Sequence, residues 1–254
     1  MKSKLHTRSE VDHAQFELKI HSNLSHRHIL PLLEGEETLE SIIIVTPLAC
    51  SDLYSVTTNK VLSEVNCQRL CKQLLLALDY LHTEAGIVHF DIKPQNILLF
   101  ESPNGYIAKI CDFGFSECLK FGELLPYAEM RGSLGYFSPE QLRHDPLSHA
   151  VDMFALGVII YQLLCGYEPF YPTNKVRYLN GDWEGNDSKL LSFDSPYWDH
   201  ISKEAKDFVV NLLNGDPKKR MTARSALSSR WIRINPEQDT SSGHEDINVP
   251  FATQ

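Results

Sequence analysis

The 254-residue sequence predicts an α+β fold, with a short β-containing segment at the front and a mostly helical lobe behind it. Three observations point there. SIIIVTPL (41–48) is apolar and rich in β-branched residues, and reads as a buried strand running into a bend at Pro47. ILLF (97–100) and IAKIC (107–111) flank Asn104-Gly105, the strongest short turn signal, and read as an antiparallel hairpin. The stretches 64–82, 153–165 and 202–213 are helical by spacing or by length.

Taken in order, residues 11–24 read as a helix with Val11, Ala14, Leu18 and Leu24 among its apolar positions. Ser63 is placed to cap the helix 64–82, whose leucines at 70, 74, 78 and 81 form one stripe. The stretch 153–165 is interrupted only by Gln162 and is too short to span a bilayer. It is apolar on all sides, which predicts a helix buried in the middle of a lobe. Ser202 is placed to cap a further helix, with Ala205, Phe208, Val209, Leu212 and Leu213 on one face and Gly215 and Pro217 as stops. Residues 234–254 are rich in Ser, Asp, Glu, Pro and Gly and are expected to form a disordered acidic tail. The predicted organisation is 1–48, 49–233 and 234–254.

Composition narrows the function. At 43% hydrophobic, the chain can bury a substantial core. A net charge of −9 leaves no global basic footprint, so no nucleic-acid partner is expected. No membrane partner is expected either, and MKSKLHTRSE has no apolar core of a secretory signal. The six cysteines (50, 67, 71, 111, 118 and 165) include no C-x-x-C pair, which fits reduced thiols and a cytoplasmic location, with the nucleus as the alternative.

The chemistry concentrates in HFDIKPQNILL (89–99) and CDFG (111–114). Asp91, Lys93, Asn96 and Asp112 supply two carboxylates, an ammonium and an amide. Such a set can hold a metal-bound triphosphate against a hydroxyl. The hairpin places the start of its first strand beside the end of its second, so Asn96 and Asp112 are expected to meet. Each residue alone has a plainer reading: a loop cap for Asp91, a surface lysine for Lys93, and turn chemistry for the other two.

The ordered series HFDIKPQN, DFG (112–114), SPE (138–140), Asp152 opening an apolar stretch, and Arg220 in DPKKRMTA resembles the eukaryotic protein kinases of serine/threonine type. GYEPFY (166–171), PYWDHISKEAKDFVVNLL (196–213) and ALSSRWI (226–232) resemble the calcium/calmodulin-dependent group and the kinases activated by mitogen-activated protein kinases. The resemblance implies a protein-kinase-like fold: a truncated, β-containing N-terminal lobe and hinge over 1–48, and a mostly helical C-terminal lobe over 49–233. It implies ATP and Mg²⁺ as cofactors and a protein substrate. By resemblance, Asp91 accepts the proton of the substrate hydroxyl, or orients that hydroxyl, and Lys93 neutralises charge on the transferred phosphoryl group. Asn96 and Asp112 ligate Mg²⁺. Val45 is the gatekeeper, Thr46-Pro47-Leu48 the hinge, and Leu98 the floor of the adenine pocket. Glu140 and Arg220 form a buried ion pair, Asp152 holds the catalytic loop, and Ser133 contacts that loop. Asp52 reads a basic substrate residue, whereas Gln95 and Gln162 replace acids used by basophilic relatives.

The sequence also departs from the family. It has no G-x-G. Glu17 matches the family's helix glutamate, but the lysine that pairs with it is expected just before Met1, with Lys2 and Lys4 the nearby candidates. The glycine-rich loop and first three strands are expected to be missing. Phe90 replaces the arginine that contacts a phosphorylated activation segment, and the segment 115–137 offers few sites, among them Ser116, Tyr127 and Ser133. His21 takes a regulatory-spine position usually held by an apolar residue, and is expected to be a satisfied core histidine. The acidic tail does not resemble a basic calmodulin target. Two functions follow: a serine/threonine kinase truncated at its front, or a pseudokinase scaffold that binds substrates or regulators. In either case the exposed, truncated sheet is expected to self-associate or to engage a chaperone.

Overall fold

A computed structural model describes residues 8–38, 41–58, 60–103, 105–126, 131–170 and 191–234. The expected tail, Lys2, Lys4, Asn104 and Tyr127 lie outside the described residues. The front carries helix α1 (Arg8–His21) and the strands β1 (Glu34–Glu37) and β2 (Ile42–Val45). There follow β3 (Ser51–Asp52), α2 (Leu53–Thr57), α3 (Glu64–Tyr80), β4 (Ile87–Val88), β5 (Ile97–Ser102), β6 (Gly105–Ile110) and β7 (Glu117–Cys118). The remaining helices are α4 (Pro139–Leu142), α5 (Ala150–Cys165), α6 (Lys203–Leu212), α7 (Ala223–Leu227) and α8 (Arg230–Arg233).

Helix α5 is the axis of the lower lobe. Of its residues only Ala150 and Gln162 are not buried, as all-round apolarity predicts. Helix α6 crosses it at Gly157, where a Cβ would lie 2.9 Å from the Leu212 Cβ, so the helices approach as closely as a hydrogen allows. The predicted α3 stripe is buried at Leu70, Leu74 and Leu78, and Leu81 continues it. Both predicted caps form. Ser63 accepts from the Asn66 N–H and Ser202 from the Ala205 N–H. The Glu64 carboxylate accepts from Ser202 N at 2.8 Å, Ser202 Oγ at 2.6 Å and Trp231 Nε1 at 2.9 Å, tying α3, α6 and α8 together. Glu140 and Arg220 form the expected buried pair, bidentate at 2.6 and 2.9 Å. Losing one partner alone would strand a buried charge, at about 3–5 kcal/mol.

The hairpin register is Ile97↔Ile110 through Ser102↔Gly105, and β3 adds to its outer side through Asp52↔Leu98. Strands β4 and β7 pair separately.

Three expectations change. The first helix runs from Arg8 to His21 rather than over 11–24, because the Asn23 amide donates back to the Lys19 carbonyl at 2.7 Å and closes the helix end. Helix α3 ends at Tyr80, and a π turn follows (Leu81–Ala85), stopped by Gly86 at φ +65°. The front strand is shorter and less buried than SIIIVTPL predicts. Ile42, Ile43 and Ile44 are half-buried, Val45 is exposed, and Leu48 is 96% exposed. The reason is topological: β2 pairs only with β1, and among the described residues its other edge has no strand beside it. Among those residues, too, no helix is long and apolar enough to cross a membrane.

Candidate active site

The hairpin delivers its two flanking loops to one point. Because Ile97 faces Ile110, the next residues outward are also neighbours, and the Cys111 N–H donates to the Asn96 carbonyl at 3.0 Å. Asn96 and Asp112 thus arrive at the same end of the hairpin. Asp91 is 2% exposed. Its Oδ2 lies 2.6 Å from Lys93 Nζ and 3.1 Å from Asn96 Nδ2. Asn96 Nδ2 also donates to the Asp91 carbonyl at 2.9 Å. With its nitrogen engaged, the Asn96 side chain has Oδ1 left to offer a cation. Lys93 Nζ donates to Ser133 Oγ at 3.0 Å, which joins the catalytic loop to the activation segment as expected. Asp91 Oδ1 is buried and has no partner. A buried acceptor without a donor is costly, and a hydroxyl arriving there would satisfy it.

The loop that carries Asp91 is held from below. Asp152, at the start of α5, is 1% exposed. It accepts from His89 N and Phe90 N, both at 2.9 Å, and from His82 Nε2 at 2.9 Å. Burial alone would push the Asp152 carboxyl upward. The hydrogen bond and charge of His82, with His89, outweigh it and hold the carboxyl below its ordinary value. His89 locks the loop a second way: Nε2 donates to the Cys111 carbonyl at 3.0 Å, and Nδ1 accepts from Asp91 N at 3.2 Å.

Phe90 adopts φ +67°, rare outside glycine, and so does Asp112. The Phe90 ring explains the missing arginine. It is buried in a small separate core with Val88, Leu119, Leu147 and Val151, where a guanidinium would have no partner. Gly132, at φ +101°, lies directly against the Phe90 carbonyl, where any Cβ would collide. Ser116 is buried beneath the same loop and donates to the His89 carbonyl at 3.5 Å, so it is shut away from solvent.

Glu17 faces Asp112. Burial, and then the Asp112 charge, raise the Glu17 carboxyl above its ordinary value, while a hydrogen bond from the Phe113 backbone opposes them. Glu17 and Asp112 together make a negative site, and the residues fit a divalent cation. Among the described residues no cluster of three His, Cys, Asp or Glu side chains can hold a metal alone. Asn96 and Asp112 therefore suit a small ion that brings waters and phosphate oxygens with it, as Mg²⁺ does. Cys111 beside them is pushed up to about 12 by burial, and then by Asp112 and Glu17, so it stays a thiol.

The expected adenine surface is open. Thr46 and Leu98 are half-buried, whereas Val45 and Leu48 face solvent. Asp52, expected to read a substrate residue, also serves the fold. Its two oxygens cap α2, accepting from Ser55 N at 2.8 Å and Ser55 Oγ at 2.7 Å. A cavity of about 260 Å³ opens beside the catalytic loop, lined by Tyr54, Pro94, Tyr136, Gln162 and Glu168. Sequence reasoning missed His82 and His149, since an isolated histidine in a helix carries no signal for a partner 70 residues away.

A profile described as "Protein kinase domain" matches residues 1–232. The chain belongs to the protein kinase family. Its curated relatives include a calcium/calmodulin-dependent protein kinase type 1 from Macrobrachium nipponense, 35% identical over 254 residues, covering 96% of this chain and 70% of that protein. The protein of that name from Caenorhabditis elegans is 34% identical over 225 residues, covering 86% of this chain and 61% of the relative. A probable serine/threonine-protein kinase fhkC from Dictyostelium discoideum is 33% identical over 250 residues, covering 96% of this chain and 40% of the relative. The chain thus spans less than two thirds of the latter two proteins. These similarities assign this kinase domain to the serine/threonine type and the calcium/calmodulin-dependent group.

One buried histidine gives the kinase domain a pH dependence. The His149 and His82 rings lie 4.8 Å apart, with Phe121 at 5.7 Å, and His149 Nε2 has no partner. Burial, and then His82, lower the His149 pKa to about 4, against the opposing pull of Asp152 and a hydrogen bond to Leu119. The unfolded chain binds the proton near 6.5 and the folded one only near 4, so stability is full above 6.5 and is lost as pH falls toward 4. Guanidinium denaturation at neutral pH and at pH near 5 should show a loss for the wild type exceeding that of His149→Phe by roughly 1 kcal/mol, allowing for screening. Equal losses would contradict the assignment.

Proposed function

We propose that this chain is a phosphotransfer module that moves the γ-phosphate of ATP to serine or threonine hydroxyls of a protein. The observation that carries this is the buried, unpartnered Asp91 Oδ1, set in a cluster with Lys93, Asn96 and Ser133. Asp79 Oδ1 is unpartnered too, so the setting among Lys93, Asn96 and Ser133 carries the weight: here Asp91 keeps an acceptor where a substrate hydroxyl can donate. Asp91 orients that hydroxyl and takes its proton as the oxygen attacks phosphorus. Lys93, anchored on Ser133, carries positive charge to the transferred group. Asn96 Oδ1 and the Asp112 carboxylate would hold Mg²⁺, which when bound supplies charge neutralisation for the phosphates. Asp152 acts through the loop backbone and keeps the Asp91 carboxylate aimed. Substrate choice by a basic residue is not favoured, because Gln95 and Gln162 are neutral where basophilic relatives carry acids. All six cysteines are unpaired, in keeping with a reducing compartment, cytoplasm or nucleus.

The scaffold reading rests on one specific feature: the 254 residues contain no G-x-G to cover a triphosphate. The two readings separate on paired variants. Asp91→Asn should lower kcat at least about 100-fold and leave Mg-ATP affinity within about twofold, because its role arises at the attacking hydroxyl. Asp112→Asn should weaken Mg-ATP binding itself, because it removes a charged ligand. Calorimetric titration and steady-state phosphorylation read the two effects. Nucleotide binding and turnover indifferent to both changes would leave the scaffold reading standing.

We further propose that β2 associates with a second copy of the chain. Its outer edge is unpaired among the described residues, and Ile42, Ile43, Ile44 and Val45 give it an apolar, β-branched character. Sedimentation velocity across the micromolar range should show concentration-dependent association, which Val45→Lys at the exposed edge should suppress. A monomer at every concentration would overturn the proposal.

A further inference from the structure

Helix α1 must bring Glu17 to Asp112. At an exposed position the Gln15 amide of α1 donates to the Glu37 carboxylate of β1, and one buried residue of α1 makes a polar bond of its own. His21, in the last turn, is 3% exposed. Its Nε2 lies 2.7 Å from the Leu30 carbonyl. A carbonyl can only accept, so Nε2 carries the proton and donates. Leu30 is itself fixed: its N–H donates to the Ile110 carbonyl at 2.9 Å, and the Ile110 N–H donates to the His28 carbonyl at 3.0 Å. Ile110 is the last residue of β6, two before Asp112.

The His21 ring touches the metal-binding loop from the other side. It lies 5.3 Å from the Phe113 ring, centroid to centroid, and Phe113 lies 5.2 Å from His89. Phe113 is fully buried between them. Glu17 and His21 are four residues apart on one face of α1. Glu17 reaches the same segment: its Oε2 lies 3.7 Å from where a Cβ would stand on Gly114, the residue after Phe113. Helix α1 is therefore tied at two levels to one short segment, and the His21–Leu30 bond is the link that a purely apolar residue at this position could not make.

We propose that His21 is a positioning residue, a hydrogen-bonding latch that holds α1 inward so that Glu17 and Phe113 keep Asp112 in place. Its donor, rather than its bulk, performs the task. The latch rests on the phosphotransfer reading only for its effect on turnover, since its effect on α1 is read separately.

The test compares His21→Leu, which keeps apolar bulk and loses the donor, with His21→Gln, whose amide nitrogen can replace Nε2. Hydrogen exchange of the intact chain is followed by mass spectrometry over α1 and residues 110–114, together with the melting transition and peptide phosphorylation. Leucine should speed exchange in both segments about tenfold, the scale of one buried hydrogen bond, with the lower lobe still melting cooperatively. Glutamine should restore wild-type exchange. Turnover should follow, with kcat lower for leucine, recovered by glutamine, and the peptide KM unchanged. Unchanged exchange in the leucine variant would overturn the latch. So would loss of cooperative melting in both variants, because His21 would then be a requirement of the core. If exchange responds as expected while the wild type shows no phosphorylation, the phosphotransfer reading fails and the latch stands.

Discussion

Asp152 is the constraint on which the candidate site depends. Its carboxylate receives two backbone N–H groups of the catalytic loop and one imidazole, all without solvent. A buried carboxylate is costly on its own, and three donors offset that cost. Asp152 can serve as an anchor because α5 beneath it is buried nearly all round and cannot shift without disturbing the core. The order of dependence runs from apolar sequence, to central helix, to fixed carboxylate, to loop geometry, to the aim of Asp91. The strained φ of Phe90 belongs to this chain of causes. A non-glycine residue in that conformation needs surroundings that over-determine it. Here they are the Asp152 bond to its N–H, the small core around its ring, and Gly132 against its carbonyl.

The upper side of the site is built on a different principle. Below, charges are compensated: Asp91 by Lys93, Glu140 by Arg220, and Asp152 by its donors. Above, Glu17 and Asp112 bring like charges together, and Glu17 is raised by burial and then by the Asp112 charge. A region poised for a cation and for polyanionic phosphates stands next to a region that is already complete. That division matches a site whose protein machinery is rigid while its metal and nucleotide come and go.

Much of this was legible in the sequence where a local rule had a long-range consequence. The Asn104-Gly105 signal fixed the hairpin register, and the register brought Asn96 and Asp112 to one end. Ser63 and Ser202 announced helix starts because capping is local chemistry. All-round apolarity identified α5. Legibility failed where the outcome depended on neighbours. The run 41–48 reads as a buried strand, yet burial needs a second neighbouring strand, and Leu48 is 96% exposed. Asp52 also caps α2 through Ser55, a second role that its match to a substrate-reading acid did not announce. His82 and His149 gave no signal because their roles come from tertiary contact alone. The orphaned Asp91 oxygen and the His21 bond likewise arise from tertiary contact, which no local pattern announces.

The most direct measurement is amide hydrogen exchange at His89 and Phe90, by NMR, in the wild type and in Asp152→Asn. The substitution keeps shape and removes the charge and one acceptor. With Asp152 as the anchor, both amides should be protected like those of α5 in the wild type. Both should exchange roughly 10- to 100-fold faster in the variant while the α5 amides stay protected, as loss of hydrogen bonds to a charged group requires. Unchanged protection at both amides in Asp152→Asn would contradict the dependence of the catalytic loop on this carboxylate.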